Sequence, residues 1–236
     1  MKIELDLETL TEDPASRRQA SFGNRVYRTL KQAIVQLQLR PGNSLSEADV
    51  ARKLGVSRQP VREAFIKLAD VGLVQVRPQR GTFVELISRK EVENARFIRE
   101  AIEVALVRKA ALEASPASID AFKGLLRRQE AAAAAGQHSE FLQLDERFHE
   151  AIADSVDCRR AWLVVEDLKV QMDRVRFLSL PAATPMATLV AQHADIVAAI
   201  EAHDPDAAAA AMSGHLREIL TSLPRIAEDF SDLFDD

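Results

Sequence analysis

The stretch GVSRQPVREAF, residues 55–65, contains the features that decide the fold of the N-terminal part of this chain. Its glycine is followed two positions later by Ser57, a residue type that favours helix N-caps. A proline then falls in the first turn of the predicted helix, where its missing N–H has no intrahelical partner. A valine and a phenylalanine four residues apart form an inner face, and Arg58 and Arg62 share another. The stretch therefore predicts a short helix with an arginine-bearing edge.

The patterns on either side of this helix complete a small domain. A second helix is predicted to start at Ser46, because its S-x-x-D spacing with Asp49 forms a capping pair. The segment LVQVRPQRGTFVEL, residues 73–86, alternates apolar and polar residues around Gly81, which predicts a β-hairpin. With one more amphipathic helix upstream, residues 21–87 are predicted to form a winged helix-turn-helix.

Charge is distributed unevenly along the 236 residues, whose formal net charge is −5. Residues 16–82 carry a local charge of +9, whereas residues 1–15 carry −4 and residues 83–236 carry −10. A basic module beside an acidic one is typical of a nucleic-acid reader joined to a second domain. A basic surface that only faces solvent is the alternative interpretation.

The third predicted helix suits the major groove of DNA, where residues at its N-terminal end meet base edges. Arginine can bind O6 and N7 of guanine with two hydrogen bonds, and glutamine can bind adenine in the same way. A serine beside free helix-terminal N–H groups suits a phosphate. The residues predicted to contact DNA are Ser57, Arg58, Gln59 and Arg62 in the helix, and Arg80 and Gly81 in the hairpin.

Composition excludes several classes of protein. Hydrophobic residues make up 47% and charged residues 28% of the chain, which is normal for a globular protein. It contains no apolar run of about 18 residues, so no membrane span is expected. The acidic N-terminus does not read as a signal peptide, and residues 1–20 are expected to be a flexible arm. A single cysteine, Cys158, excludes an internal disulfide and fits a cytoplasmic location.

The C-terminal part of the chain is predicted to be all helical. Residues 88–92 are interpreted as a linker, residues 93–230 as a bundle of about six helices, and residues 231–236 as an acidic tail. Turn-forming residues separate the helices, and no strand pattern occurs between them. The expected fold class is therefore mainly α, with the small hairpin of the first domain as its β component.

Three histidines fall inside predicted helices of this bundle, close to apolar stripes. They are His149, His193 and His215, and Asp145 lies one helical turn before His149. One such histidine is usually a core residue, but a shared partner explains three of them more economically. Three imidazoles and one carboxylate suit a divalent metal, with Zn²⁺ preferred and Ni²⁺ or Mn²⁺ as alternatives.

Residues 39–84 also resemble the DNA-binding domain of GntR-family bacterial transcription regulators. The resemblance rests on the PG-x-x-L-S-E turn, the G-V-S-R-x-P-V-R-E-A helix and the R-G-x-F-V wing. It implies DNA contact by the six residues predicted above. One position departs from the pattern, since Ala48 stands where some relatives have a DNA-contacting arginine.

Residues 90–230 resemble the FCD ligand-binding domain of the FadR subfamily, whose metal signature is D-x-x-x-H followed by two widely spaced histidines. This resemblance, with about six helices closer to the VanR-type variant, implies a helical bundle around a cavity with the metal on its floor. It also implies a small carboxylate or sugar acid as effector. Arg99 and Arg174 are the candidate effector-binding residues, and a salt bridge to Glu103 is the alternative role for Arg99. Arg176 is expected to face water.

The hypothesis from the sequence is a ligand-responsive transcriptional regulator, not an enzyme. It would repress a catabolic operon by binding a palindromic DNA operator as a homodimer, with its effector at or near the metal. Two alternatives stay open. One is a metal-dependent enzyme in which Asp145 and the histidines activate water. The other is a constitutive DNA-binding protein whose metal is purely structural.

Overall fold

The computed structural model describes residues 22–180 and 183–235, and the chain divides into two compact units. The first unit contains the described residues up to Ser88 together with residues 232–235, and the second contains Arg89–Ser231. The arm expected at residues 1–20 lies outside the described residues. None of the helices described is both long enough and apolar enough to cross a membrane.

The first unit has the predicted order of three helices followed by a hairpin. A two-residue strand after the first helix, too short to show a sequence pattern, joins the hairpin to make a three-stranded antiparallel sheet in the order β1-β3-β2. The elements are α1 (Phe22–Val35), β1 (Ser44–Leu45), α2 (Glu47–Leu54), α3 (Arg58–Asp70), β2 (Val74–Arg77) and β3 (Gly81–Val84).

The ends of α2 and the inner face of α3 are set by the residues that the sequence indicates. The Ser46 hydroxyl accepts a hydrogen bond from the Asp49 N–H at 3.4 Å, which caps the start of α2. Gly55 ends α2 in the left-handed conformation, with φ of 64°, which a residue without a Cβ adopts at little cost. Val61 and Phe65 are buried, and α1 packs against this helix. The opposite edge of α3 is thereby left in solvent.

The tail of the chain belongs to the first unit rather than forming a separate acidic segment. After a 3₁₀ turn at Ser231–Leu233, Phe234 pairs with Ile87 in a parallel bridge. The Ile87 N–H donates to the Leu233 carbonyl at 2.8 Å, and the Asp235 N–H donates to the Ile87 carbonyl at 3.0 Å. Leu233 and Phe234 are buried, and burial of these two apolar side chains stabilises the position of the segment interpreted from its composition as an acidic tail.

The second unit contains seven helices in its described part, one more than the expected number of about six. It begins at Arg89, so most of the segment interpreted as a linker is helical. The helices are α4 (Arg89–Glu113), α5 (Pro116–Ala134), α6 (His138–Asp154), α7 (Arg159–Leu168), α8 (Val170–Ser179), α9 (Met186–Glu201) and α10 (Pro205–Asp229).

The additional boundary lies at Lys169, between α7 and α8, where the sequence has no glycine or proline. The Lys169 ammonium is buried and pairs with Glu146 and with Asp173, the latter at 2.6 Å. A buried cation needs carboxylate partners. Lys169 has one on α6 and one on α8, at the point where α7 ends and α8 begins. A tertiary interaction, which local sequence patterns do not report, therefore marks this boundary.

Helix α8 runs through the interior of the second unit, and its polar residues are enclosed with its apolar ones. Asp173, Arg174 and Arg176 are all buried on it. The main apolar cluster of the unit joins residues of α4, α5, α6, α7, α9 and α10, among them Phe122, Phe148, Trp162, Ile196 and Met212. Charged groups within such a core must find partners in the protein.

Candidate metal centre and nucleic-acid interface

The four residues predicted to bind a metal come together inside the second unit. Asp145 and His149 lie one turn apart on α6, His193 lies on α9 and His215 lies on α10. One ligand atom from each residue lies within 4.8 Å of the corresponding atoms of the other three. All four residues are buried, so their polar atoms face one another instead of solvent.

The imidazoles point the same nitrogen toward a common centre. The Nε2 atom of His215 lies 3.2 Å from Nε2 of His149 and 3.2 Å from Nε2 of His193. On the carboxylate side, Oδ1 of Asp145 lies 3.6 Å from Nε2 of His193, and Oδ2 lies 3.9 Å from Nε2 of His149. Three nitrogens and a carboxylate thus surround one point.

The outward nitrogen of each imidazole, Nδ1, faces an oxygen acceptor. His193 Nδ1 donates to Gln129 Oε1 at 2.7 Å, His215 Nδ1 donates to Gln192 Oε1 at 3.0 Å, and His149 Nδ1 pairs with the Glu103 carboxylate. The orientation of the Gln129 amide is fixed independently, because its Nε2 donates to a backbone carbonyl at 3.2 Å. A neutral imidazole has a single N–H, so these bonds leave all three Nε2 lone pairs pointing inward.

Burial keeps two of the three imidazoles, those of His193 and His215, neutral. It lowers the pKa of His193 to about 3, and burial together with His193 and His149 lowers the pKa of His215 well below its usual range. Three inward lone pairs at these distances repel one another unless a cation lies between them. Neutral imidazole nitrogen is also the form that binds a metal.

Asp145 completes the donor set. Burial alone would raise the pKa of its carboxyl, but Arg176 and the neighbouring histidines hold that pKa well below its usual range. Among the described residues, Oδ1 of Asp145 has no hydrogen-bond donor. A buried carboxylate oxygen without a donor beside three imidazole lone pairs fits a divalent cation, so this group could hold a metal ion.

Glu103 is a further member of the centre, which the sequence suggested only as a partner of Arg99. Its carboxylate contacts both His149 and Arg99, and it is buried. Burial would raise the pKa of Glu103, but Arg99 and His149 lower it to about 2. The ionised carboxylate therefore fixes which nitrogen of His149 carries the proton.

A small pocket, partly open to solvent, lies against this centre. His215 contributes both to the pocket wall and to the candidate metal site, and Arg176, which pairs with Asp145, lines the pocket as well. Three hydroxyl-bearing residues, Ser179, Thr184 and Ser222, and the carboxylate-bearing Glu218 add further polar groups to the wall.

The two predicted effector-binding arginines differ in their position relative to the pocket. Arg99 pairs with Glu103, which is the alternative role considered for it, and it also lines the pocket, so effector binding by Arg99 stays a prediction. Arg174 is not among the residues that line this pocket; it is fully buried and donates to Gln171 at 3.0 Å. The expectation that Arg176 faces water is wrong, because the residue lies inside the unit against Asp145.

Gln129, the partner of His193, was not predicted from the sequence, although the sequence contains a signal for it. Gln129 lies seven residues after Phe122 and three before Ala132, both buried, so it interrupts an apolar helix stripe. A polar residue at such a position needs a buried partner. Gln192 and Arg176 gave no comparable signal, since their surroundings depend on how separate helices meet.

The residues predicted to contact DNA lie together on the outer edge of α3 in the first unit. Ser57 is the N-cap residue, and its hydroxyl makes no capping hydrogen bond. Arg58, Gln59 and Arg62 follow it and are exposed. We call these four residues the reading edge, and all of them are open to an external partner.

Neighbouring side chains order part of the reading edge. Gln59 Nε2 donates to Glu63 Oε1 at 3.1 Å, and Arg62 donates to both carboxylate oxygens of Glu47 on α2. The wing carries Arg80 in the turn between β2 and β3, exposed next to Gly81, whose φ is 105°. A residue without a side chain at that point allows another backbone to approach closely.

Comparison with known families matches both units. Residues 22–84 match the model of bacterial regulatory proteins of the gntR family, and residues 95–218 match the FCD domain. The HTH-type transcriptional repressor RspR of Escherichia coli is 43% identical over 210 residues, which cover 89% of this chain and 92% of the relative. A probable D-xylose utilization operon transcriptional repressor of Paenarthrobacter nicotinovorans is 29% identical over 191 residues, covering 79% and 82% respectively.

Solved structures agree on the fold. E. coli McbR/YncC superposes with a TM-score of 0.76 at 21% identity, covering 90% of this chain and all of that one. The relatives are transcriptional regulators and not enzymes, which removes the metal-dependent enzyme from the alternatives.

His193→Ala should reduce the metal content of the purified protein, because it removes one of the inward nitrogens. Metal bound per chain, measured by elemental analysis after dialysis against dilute Zn²⁺, is the readout. His138→Ala, a histidine at the start of α6 outside the four-residue group, serves as the matched control. An unchanged metal content in His193→Ala would remove this residue from the site.

Proposed function

The chain belongs to the gntR family of bacterial regulatory proteins and carries an FCD domain, and from this premise we propose that it is a homodimeric repressor of a catabolic operon. A small carboxylate effector, bound at or near a divalent metal, changes its affinity for a palindromic operator. The observation that carries this proposal is the pocket lined by both His215 and Arg176, so that a residue of the candidate metal site and a guanidinium group share one wall. The proposed role places the protein in the cytoplasm, with its DNA.

The first unit supplies the DNA-binding part of the proposal. The reading edge lies at the N-terminal end of α3, where the recognition helix of a helix-turn-helix meets base edges. Arg58 and Arg62 suit guanine, Gln59 suits adenine, and Ser57 suits a phosphate. Arg80 and Gly81 of the wing would contact the backbone or the adjacent groove.

Arg58→Ala should weaken binding mainly to operators that keep the preferred base at one position of each half-site. Loss of a two-pronged contact costs about 1–3 kcal/mol at that position. Affinities for a panel of single-base operator variants, measured by fluorescence anisotropy at fixed salt, provide the test. Lys53→Ala, which removes an exposed cation from α2, should lower affinity uniformly; the same uniform loss in Arg58→Ala would contradict base reading.

The proposal of a homodimer has support in an exposed apolar face of the second unit. Helices α4 and α7 pack against each other, and both carry large apolar side chains in solvent. Exposed apolar groups of this kind usually mark an interaction site. A second copy of the chain is the proposed occupant, because two-fold symmetric proteins match palindromic operators. The residues are Phe97, Ile98 and Leu112 on α4 and Leu163, Val164 and Leu168 on α7.

Val164→Glu should shift the protein from dimer to monomer, since it places a charge in the proposed interface. Sedimentation velocity over a range of protein concentrations measures the association. Val76→Glu in the wing introduces the same charge at a valine that is similarly exposed, at 58% against 48%, and should leave the dimer intact. Equal behaviour of the two variants would place the interface elsewhere.

The residues that would hold the metal are Asp145, His149, His193 and His215, with Zn²⁺ as the preferred ion and Ni²⁺ or Mn²⁺ as alternatives. When bound, the ion would supply a Lewis-acidic point for an effector oxygen. The guanidinium groups of Arg99 and Arg176 would neutralise the effector carboxylate, and the hydroxyl groups of the pocket would bind its other oxygens.

A constitutive DNA-binding protein with a structural metal is the second candidate function. Four protein ligands would complete a four-coordinate site, which is typical of structural zinc. The position of His215 in the pocket wall favours the effector-responsive alternative.

A screen of small carboxylates and sugar acids against the metal-loaded protein separates the two functions. An effector specific for the folded state should raise apparent stability by about 2.7 kcal/mol at a hundredfold excess over its Kd. The same compound should lower affinity for operator DNA. If no compound changes DNA affinity while a chelator unfolds the second unit, the metal is structural and the effector part of the proposal fails.

A further inference from the structure

The carboxylate of Glu47, the first residue of α2, binds one side of the Arg62 guanidinium. Arg62 Nε donates to Oε1 at 3.1 Å, and Nη2 donates to Oε2 at 3.0 Å, so the contact is two-pronged. We infer that Glu47 is a positioning residue that fixes Arg62 for guanine recognition at one operator position. This inference rests on the proposed function, in which the reading edge contacts bases.

The hydrogen bonds of Arg62 leave the donors that guanine requires. A guanidinium has five N–H bonds, and Glu47 uses one on Nε and one on Nη2. The remaining three include at least one on each terminal nitrogen, and these two point away from Glu47. Guanine presents O6 and N7 side by side, which two parallel donors match. The side chain is 59% exposed, so its free edge is accessible.

Glu47 is itself held in place and charged. It occupies the first turn of α2, where the positive end of the helix dipole favours a carboxylate, and the Ser46 cap fixes that turn. The hydrogen bond from Arg62 lowers the pKa of Glu47, with burial opposing and the charges of Arg62 and Arg58 adding to the effect. The carboxylate therefore stays ionised at neutral pH and keeps its grip on Arg62.

A side chain that is already ordered before DNA binds loses less conformational entropy on binding. A free arginine side chain loses rotamer entropy when it is immobilised. The bridge to Glu47 restricts Arg62 before DNA arrives, whereas Arg58 makes no side-chain hydrogen bond or ion pair among the described residues and acts on Glu47 only through its charge. The two arginines of the reading edge thus differ: Arg62 is ordered in advance, and Arg58 is free to adapt. We expect the sharper base preference at the position read by Arg62.

The test uses the full-length protein and an operator that the wild type selects from a randomised double-stranded DNA library. Affinities of Glu47→Gln, Arg62→Ala and the double variant are measured for that operator and for every single-base change in a half-site. Glu47→Gln should lower discrimination about fivefold or more at the position that Arg62→Ala affects, since a well-placed two-pronged contact carries most of it. The double variant should match Arg62→Ala alone, because the two residues act as one unit.

Asp49→Asn is the matched control. Asp49 is another carboxylate in the first turn of α2, paired with Arg52 rather than with the reading edge. Its substitution removes the same charge from the same helix and should leave base discrimination unchanged. Melting temperatures are measured for every variant, and Glu47→Ala replaces Glu47→Gln if the latter does not fold.

The outcomes separate the inference from the proposed function. Selection of no sequence by the wild type would overturn DNA reading itself. Loss of discrimination in Arg62→Ala but not in Glu47→Gln would overturn the positioning role alone. Tighter binding of Glu47→Gln to all sequences would also overturn it, because Glu47 would then act only by repelling phosphates. A base-specific loss shared by Glu47→Gln and Arg62→Ala, and absent from Asp49→Asn, is the result expected.

Discussion

The inward orientation of three imidazole nitrogens is the constraint on which the second unit depends. Each ring is turned by an oxygen acceptor on its outer nitrogen, supplied by Glu103, Gln129 and Gln192. These acceptors lie on α4, α5 and α9, and the imidazoles lie on α6, α9 and α10. The centre therefore joins five helices through polar contacts inside an apolar core. Satisfying such a group requires every helix in its place, because a half-satisfied buried network is costly.

The same constraint gives the neighbouring pocket its charge. Asp145 is ionised because Arg176 and the histidines outweigh its burial, and Glu103 is ionised because Arg99 does the same. Each arginine offers donors to a carboxylate of the centre while lining the pocket. An anionic ligand would meet guanidinium groups that are already ordered, which lowers the cost of binding.

Local patterns predicted the first unit and the ligand set, and tertiary contacts explain what they missed. The cap at Ser46, the turn at Gly55 and the Asp145–His149 pair depend on residues close in sequence, which periodicity reports. The boundary at Lys169 and the burial of Arg176 depend on carboxylates from other helices or turns. Lys169 and Glu146, and likewise Arg176 and Asp145, lie on different helices, so no short window of sequence contains both members of either pair. The pairing of Phe234 with Ile87 escaped prediction for the same reason, since the two residues are 147 positions apart in the sequence.

The Ile87–Phe234 bridge lies next to the start of α4 and the end of α10 in the sequence. Both helices carry pocket residues, and they are joined where Glu100 accepts from Ser213 at 2.5 Å and pairs with Arg217 at 2.6 Å. The chain enters α4 two residues after Ile87, and it leaves α10 five residues before Phe234. The second unit, which contains the pocket, is therefore linked to the first unit by two covalent connections, one before α4 and one after α10. The bridge between Ile87 and Phe234 joins these two connections.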